Sequence, residues 1–156
     1  MGFSAGGHLA AMAATQFEAG IEGGEDLVAT QSSRPDFAIL VYPVITMGEG
    51  THGGSRQNLL GADPGEELIR RYSNELQVTA KTPPTFLTHA ADDRPVPPAN
   101  SQMFHDALKA RKVPTEYLKL PSGGHGLNGY KGPMWEAWQK RSLEWLDEMF
   151  PVKAGR

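Results

Sequence analysis

Short strand-like runs that alternate with helix-forming segments are the feature that most constrains the fold of this chain. The runs are Phe37 to Val41, Thr85 to Ala90 and Glu116 to Leu120, and a proline-bearing turn signal precedes each of them. The first two of these runs are typical of strands buried on both faces of a parallel sheet, and the run Glu116 to Leu120 predicts a third strand. Because strands that alternate with helices form a parallel sheet covered by helices, the sequence predicts an α/β fold.

The intervening segments predict four helices. They begin just past Ser4, at Pro64 with Asp63 as the N-cap, at Pro97-Pro98 and at Pro133, and the second ends near Tyr72. The polar segment Met47 to Leu59 is interpreted as a loop or an excursion over the sheet edge. With 156 residues, the chain has the length of one domain. We assign residues 1–150 to a single partial α/β domain and residues 151–156 to a tail.

Composition excludes several function classes. The net charge is −3, and no cluster of lysine and arginine predicts binding to nucleic acid or to an anionic membrane surface. Cysteine is absent and no H-E-x-x-H spacing occurs, so we expect neither a metal nor a cofactor. The tryptophans of the last predicted helix are interpreted as core residues, and the sequence leaves the cellular compartment open.

The segment Gly2-Phe3-Ser4-Ala5-Gly6 has the pattern G-x-S-x-G. This pattern forms a nucleophile elbow, a sharp turn between a strand and a helix that exposes a serine hydroxyl. A serine between glycines is also common as a plain turn or helix cap, so Ser4 needs partners to count as a nucleophile. If Ser4 is the nucleophile, the backbone N–H of Ala5 is one oxyanion donor, favoured by its place at a helix N-terminus.

Acidic and histidine residues, the partners that a nucleophilic serine needs, follow two of the other predicted strands. Asp92 and Asp93 come after the strand Thr85 to Ala90, and His125 comes after the strand Glu116 to Leu120 within a glycine-rich loop. Functional groups of parallel sheets gather at the carboxyl ends of the strands. The order serine, aspartate, histidine therefore predicts a catalytic triad, in which histidine takes the serine proton and a carboxylate orients the histidine. The spacing alone leaves Asp92 and Asp93 as alternatives for the acid.

The remaining histidines are given structural interpretations. His8 lies one helical turn beyond Ser4 and is expected to pack near the elbow, while His89 is expected to brace the loop below the triad. His105 is expected on a helix surface and His52 in a mobile loop.

Several segments together resemble the α/β-hydrolase family. They are "GFSAGGHLAA", "SSRPDFAILVYPVIT", "NLLG", "YSNELQVTAKTPPTFLTHAADDRPVPPANSQMFHDAL" and "GGHGL". More narrowly, they are similar to small microbial esterases of the acetyl-xylan-esterase-like and feruloyl-esterase-like groups. The resemblance implies hydrolysis of small acyl esters of carbohydrates through an acyl-enzyme. It also implies that Asp93, in the segment D-x-x-V-P, is the acid. Val96 and Leu127, near the acid and the base, are our candidates for substrate contact.

The sequence departs from the family pattern at its N-terminus. Family members carry early strands and an H-G-G loop before the elbow, and the loop supplies a second oxyanion donor. We therefore expect this chain to correspond to the C-terminal half of such a fold. Two alternatives remain open: a peptidase of the prolyl-oligopeptidase kind, and a non-catalytic remnant that assembles with a partner or forms a homo-oligomer through an exposed sheet edge.

Overall fold

A computed structural model describes residues 1–151 and contains a four-stranded parallel sheet with strand order β1-β2-β3-β4. This confirms the predicted α/β class. The predicted tail lies outside the described residues except for Pro151. The strands are β1 (Gly2–Phe3), β2 (Ala38–Val41), β3 (Thr85–Ala90) and β4 (Thr115–Leu120). The helices are α1 (Ser4–Thr15), α2 (Gly53–Leu60), α3 (Glu66–Tyr72), α4 (Ala99–Ala110), α5 (Leu127–Tyr130) and α6 (Pro133–Met149), and a 3₁₀ turn covers Asn74–Gln77.

Alternating side chains of β2 and β3 supply both faces of the core. Leu40 and Leu87 face α1 and α4, where they pack with Phe104 and Leu108. Their neighbours Ile39 and Phe86 point to the opposite face, which α6 covers. Every residue of β2 and β3 is buried, as expected for strands with helices on both sides. Trp138 and Trp145 of α6 are core residues, in agreement with their interpretation from sequence. The same interpretation is wrong for Trp135, which is only partly buried and lines an open cleft beside Phe3.

The structure differs from the sequence predictions at three places. Residues 53–60, expected to be part of a loop, form α2, because the side chain of His52 accepts a hydrogen bond from Ser55 N and caps the helix. Helix α3 has Gly65 rather than Asp63 as its N-cap. The short strand β1 pairs in parallel with β2 through Gly2↔Leu40 and Phe3↔Val41, so the sheet has four strands instead of three.

The two outer strands of the sheet are β1 and β4. Within residues 1–151, the outer edge of β1 pairs with no other strand, and association through this edge stays a prediction. Over the same residues, no helix has the length and apolar character needed to cross a bilayer.

Candidate active site

Ser4 lies at the junction of β1 and α1 with a strained backbone. Its φ of 50° is in the left-handed region, which residues other than glycine rarely adopt. The turn requires glycine at position 2, because a side chain there would overlap the carbonyl of Gly6. Ser4 O also accepts a hydrogen bond from Val44 N at 3.0 Å, which ties the elbow to the segment after β2. The structure thus holds Ser4 at the carboxyl end of the sheet in the geometry of a nucleophile elbow.

The second position at the elbow where a side chain would clash is Gly7, not Gly6. A side chain on Gly7 would lie 2.7 Å from Cβ of Pro43, whereas one on Gly6 would meet nothing within 4 Å. The G-x-S-x-G pattern predicts that the glycines on both sides of Ser4 are needed, because the turn is sharp and the helix packs close. The structure confirms a steric need for glycine at position 2, but at the start of α1 it is Gly7, not Gly6, that must lack a side chain.

Ser4, His125 and Asp93 form a continuous line of hydrogen bonds. Ser4 Oγ lies 2.8 Å from His125 Nε2, and His125 Nδ1 lies 2.8 Å from Asp93 Oδ2. An ionised carboxylate only accepts hydrogen bonds, so Nδ1 carries the proton and Nε2 is left to accept from the serine hydroxyl. The structure therefore brings together the three side chains that the sequence predicted, in the tautomer that general-base chemistry requires.

The loop that carries His125 depends on glycine. Gly123, Gly124 and Gly126 all have positive φ, and so does Leu127. Glycine adopts this region without steric cost, so it lets the chain turn tightly on both sides of the histidine. The side chain of His125 remains 28% exposed, which leaves the Ser4–His125 pair open to a ligand.

Asp93 is held by several donors in a fully buried position. Its Oδ1 accepts from Val96 N at 3.0 Å, and its Oδ2 accepts from both His125 and His89. Burial raises the pKa of Asp93, but the hydrogen bonds from His89, His125 and Val96 N outweigh it and hold the pKa below its usual value. The carboxylate is therefore kept ionised at neutral pH.

Asp92 has a different position. Its Oδ1 accepts a hydrogen bond from Gly124 N at 2.8 Å, so it anchors the loop of His125 instead of contacting the imidazole. Of the two adjacent aspartates, only Asp93 contacts His125.

An open cleft of about 520 Å³ lies next to Ser4 and His125. We call it the Ser4 cleft; its lining residues are Phe3, Ser4, Tyr42, His125, Tyr130 and Trp135. Tyr42, a residue not predicted from the sequence, packs its ring edge-on against His125 with centroids 4.9 Å apart. Burial raises the pKa of Tyr42 to about 12, so its hydroxyl stays protonated. Tyr42 directly follows the predicted strand Phe37 to Val41, and this position could have indicated that it lies near the site.

The expectation that Val96 and Leu127 contact the substrate needs correction. Their exposed fractions are 1% and 0%, because Val96 packs against Val44 and Met47 while Leu127 belongs to the core beneath α6. Neither side chain faces the Ser4 cleft. Ala5 is exposed at the first turn of α1, where its N–H is free of intrahelical partners, as an oxyanion donor requires.

The other histidines have structural partners. His8 is buried, and its Nε2 lies 2.8 Å from Tyr72 O; burial lowers its pKa. His105 is partly buried near Thr115, and His52 caps α2 instead of lying in a mobile loop. His52-Gly53-Gly54 has the sequence H-G-G, but it follows the elbow in the chain and forms the start of α2.

Comparisons with known proteins give consistent results. The model of the BD-FAE family matches residues 1–108. The chain is 40% identical over 138 residues to endo-1,4-beta-xylanase B of Butyrivibrio fibrisolvens, and 36% identical over 131 residues to an acetylxylan esterase of Xylanibacter ruminicola. These matches cover 88% and 81% of the chain but only 22% and 25% of the two relatives.

Solved structures are similar to nearly the whole length of this chain. An acetyl ester-xyloside bifunctional hydrolase from Caldicellulosiruptor lactoaceticus superposes with a TM-score of 0.91 at 41% identity, over 97% of this chain and 56% of that protein. A carboxylesterase from Lactobacillus plantarum gives a TM-score of 0.70 at 25% identity, over 99% of this chain and 59% of the other. The chain thus spans little more than half of the length of these structural relatives.

Proposed function

This chain belongs to the BD-FAE family of α/β-hydrolase carbohydrate esterases, and we propose that it hydrolyses small acyl esters of carbohydrates with Ser4 as the nucleophile. The observation that carries the proposal is the line of hydrogen bonds from Ser4 Oγ through His125 to Asp93. The family match also favours an ester hydrolase over the peptidase alternative.

In the first step, Ser4 Oγ attacks the carbonyl carbon of the ester. His125 Nε2 takes the hydroxyl proton as the new C–O bond forms, and the ionised Asp93 stabilises the resulting imidazolium through Nδ1–H. The carbonyl oxygen becomes an oxyanion, to which the Ala5 N–H donates at the N-terminus of α1. When the tetrahedral intermediate collapses, the alcohol leaves with the proton from His125, and Ser4 remains acylated.

In the second step, water repeats the same chemistry. His125 Nε2 removes a proton from a water molecule, which attacks the acyl carbon and regenerates a tetrahedral oxyanion. Collapse releases the carboxylic acid, and Ser4 Oγ recovers its proton from His125. No group other than these side chains and water is needed to balance the reaction.

Two kinds of observation support the substrate class. Relatives of this chain carry the names acetylxylan esterase and acetyl ester-xyloside hydrolase, which indicate acylated xylan-type sugars. The Ser4 cleft is open and has aromatic walls, and aromatic rings provide apolar surface against which a sugar ring or an acyl group packs.

The proposal is tested with a serine-directed fluorophosphonate and with p-nitrophenyl acetate, acetylated xylan, feruloylated arabinoxylan and a prolyl peptide. The assays use the purified protein. We expect covalent labelling and ester hydrolysis, both abolished by Ser4→Ala and retained by Ser122→Ala, an exposed serine three residues before His125. Labelling that persists in Ser4→Ala, or cleavage of the peptide alone, would contradict the proposal.

A further inference from the structure

His89 contacts the acid of the triad but takes no part in the steps above. It lies in β3 with 1% of its surface exposed. Its Nε2 is 2.9 Å from Val96 O and 3.2 Å from Asp93 Oδ2, and its Nδ1 is 2.8 Å from Ser101 Oγ. All hydrogen-bonding atoms of this imidazole are therefore engaged in a site that excludes water.

The position of one proton on His89 follows from its partners. Val96 O is a carbonyl oxygen and only accepts hydrogen bonds, so His89 Nε2 must carry a hydrogen. This holds whether or not Nδ1 is also protonated, because the Ser101 hydroxyl either donates to Nδ1 or accepts from it. Asp93 Oδ2 thus always faces an N–H donor of His89.

These contacts close a ring around the carboxylate. Val96 donates its N–H to Asp93 Oδ1 and accepts from His89 through its carbonyl, while His89 Nε2–H is shared with Asp93 Oδ2. With one oxygen fixed by Val96 and the other shared by two imidazoles, the carboxylate plane has little freedom to rotate. His125 then finds Oδ2 already placed to accept its Nδ1–H.

We propose that His89 is a positioning residue, whose Nε2–H, fixed by Val96 O, holds the carboxylate of Asp93 in the orientation that His125 needs for catalysis. This inference rests on the proposed function and deepens it. The contacts also account for why a histidine is tolerated at a fully buried position of β3. A purely structural role would rest on the hydrogen bonds to Val96 and Ser101, and loss of the donor to Asp93 would then leave kcat and the hydrogen bond between His125 and Asp93 unchanged.

Two amide substitutions separate these roles. In His89→Gln, the side-chain NH₂ reaches the position of Nε2 and still donates towards Asp93. In His89→Asn, the shorter amide reaches the position of Nδ1, so the contact with Ser101 is kept and the contacts with both Val96 O and Asp93 are lost. Ser101→Ala serves as a control, because it removes a buried hydrogen bond of the same network without changing the Nε2–H donor.

We expect His89→Asn to lower kcat on p-nitrophenyl acetate by about 10- to 100-fold with KM unchanged, the size of losing a hydrogen bond to a charged group. His89→Gln and Ser101→Ala should stay within about fivefold of the wild type, because the donor to Asp93 remains. In the phosphonate adduct, the downfield proton resonance of His125 Nδ1–H should shift in His89→Asn and remain in place in the other two variants.

Equal kcat values for the Asn and Gln variants, or a loss that appears only in KM, would overturn the positioning role. So would failure of both variants to fold, judged by circular dichroism, since His89 would then be required by the fold itself. Failure of the proposed function has a different signature: the wild type itself would not react with the phosphonate. A labelled wild type together with a fully active His89→Asn would refute only the role of His89.

Discussion

Replacing Asp93 with asparagine tests the candidate triad most directly, because the neighbouring Asp92 provides a control of identical chemistry. Three N–H donors surround the Asp93 carboxylate, from His125, His89 and Val96. The carboxylate offers an acceptor oxygen on each side, whereas an amide offers only one. In Asp93→Asn, the NH₂ group must therefore face either Val96 N–H or the two imidazoles.

The magnitude follows from these contacts. A hydrogen bond to a charged group contributes about 1.5–3 kcal/mol, and a buried donor left unpaired costs about 1–3 kcal/mol more. If the NH₂ faces His125, Nδ1 must become an acceptor, and the proton moves to Nε2, where it blocks the acceptance of the Ser4 proton. We expect kcat/KM to fall by about 10³- to 10⁴-fold, which corresponds to roughly 4–5.5 kcal/mol of transition-state stabilisation.

The assay measures kcat/KM for p-nitrophenyl acetate in the wild type and in each variant. Asp92→Asn keeps an oxygen for Gly124 N–H and should remain within a few-fold of the wild type. The loss in Asp93→Asn should also be smaller than that in Ser4→Ala, because the nucleophile and base remain. A larger loss in Asp92→Asn than in Asp93→Asn would refute the assignment of the acid.

Three further predictions follow from the elbow, from the buried carboxylate and from the oxyanion donor. Gly2→Ala should lower the thermal midpoint of unfolding because its methyl group overlaps the carbonyl of Gly6, whereas Gly6→Ala, with open space around it, should raise stability by about 0.5–1 kcal/mol. The pKa of Asp93 is depressed in the folded state, so the stability that its ionised carboxylate contributes is present above the unfolded pKa of about 3.9 and is lost as the pH falls through the folded pKa. The difference in unfolding free energy between wild type and Asp93→Asn should therefore shrink from pH 7 to pH 3 in denaturant titrations. A difference that stays constant over this range would contradict the prediction. Since the Ala5 N–H is the one oxyanion donor assigned among residues 1–151, the 156-residue chain should turn over p-nitrophenyl acetate at least about 10²-fold more slowly than the same chain extended by the N-terminal segment of its acetyl ester-xyloside hydrolase relative, and equal rates would refute this.

The alternation of strands and helices could be predicted from the sequence because it depends on local periodicity. Apolar runs such as Phe37 to Val41, together with proline at segment boundaries, specify buried strands whatever the details of packing. The same local logic puts Ser4, the pair Asp92 and Asp93, and His125 after successive strands, and parallel strands bring their carboxyl ends to one edge. The order of the candidate triad was therefore contained in the sequence.

Where local signals are weak or contradictory, the sequence prediction was wrong. The segment Gly53–Leu60 has two glycines and no buried residue, so it shows no helical pattern, yet it forms α2 because His52 caps its first turn. Val96 and Leu127 are close in sequence to Asp93 and His125, but their side chains point into the core. Proximity along the chain does not determine the direction of a side chain.

Only the tertiary structure decided which atoms meet at the candidate site. The spacing alone did not distinguish Asp92 from Asp93; the resemblance to esterases favoured Asp93, and the fold turns Asp93 towards His125 and Asp92 towards Gly124. The contact of Tyr42 with His125 joins residues that follow different strands, and His89 meets Asp93 because the chain turns back directly after β3. Such contacts depend on how the sheet and the loops after its strands pack in three dimensions, and no periodicity in one dimension encodes them.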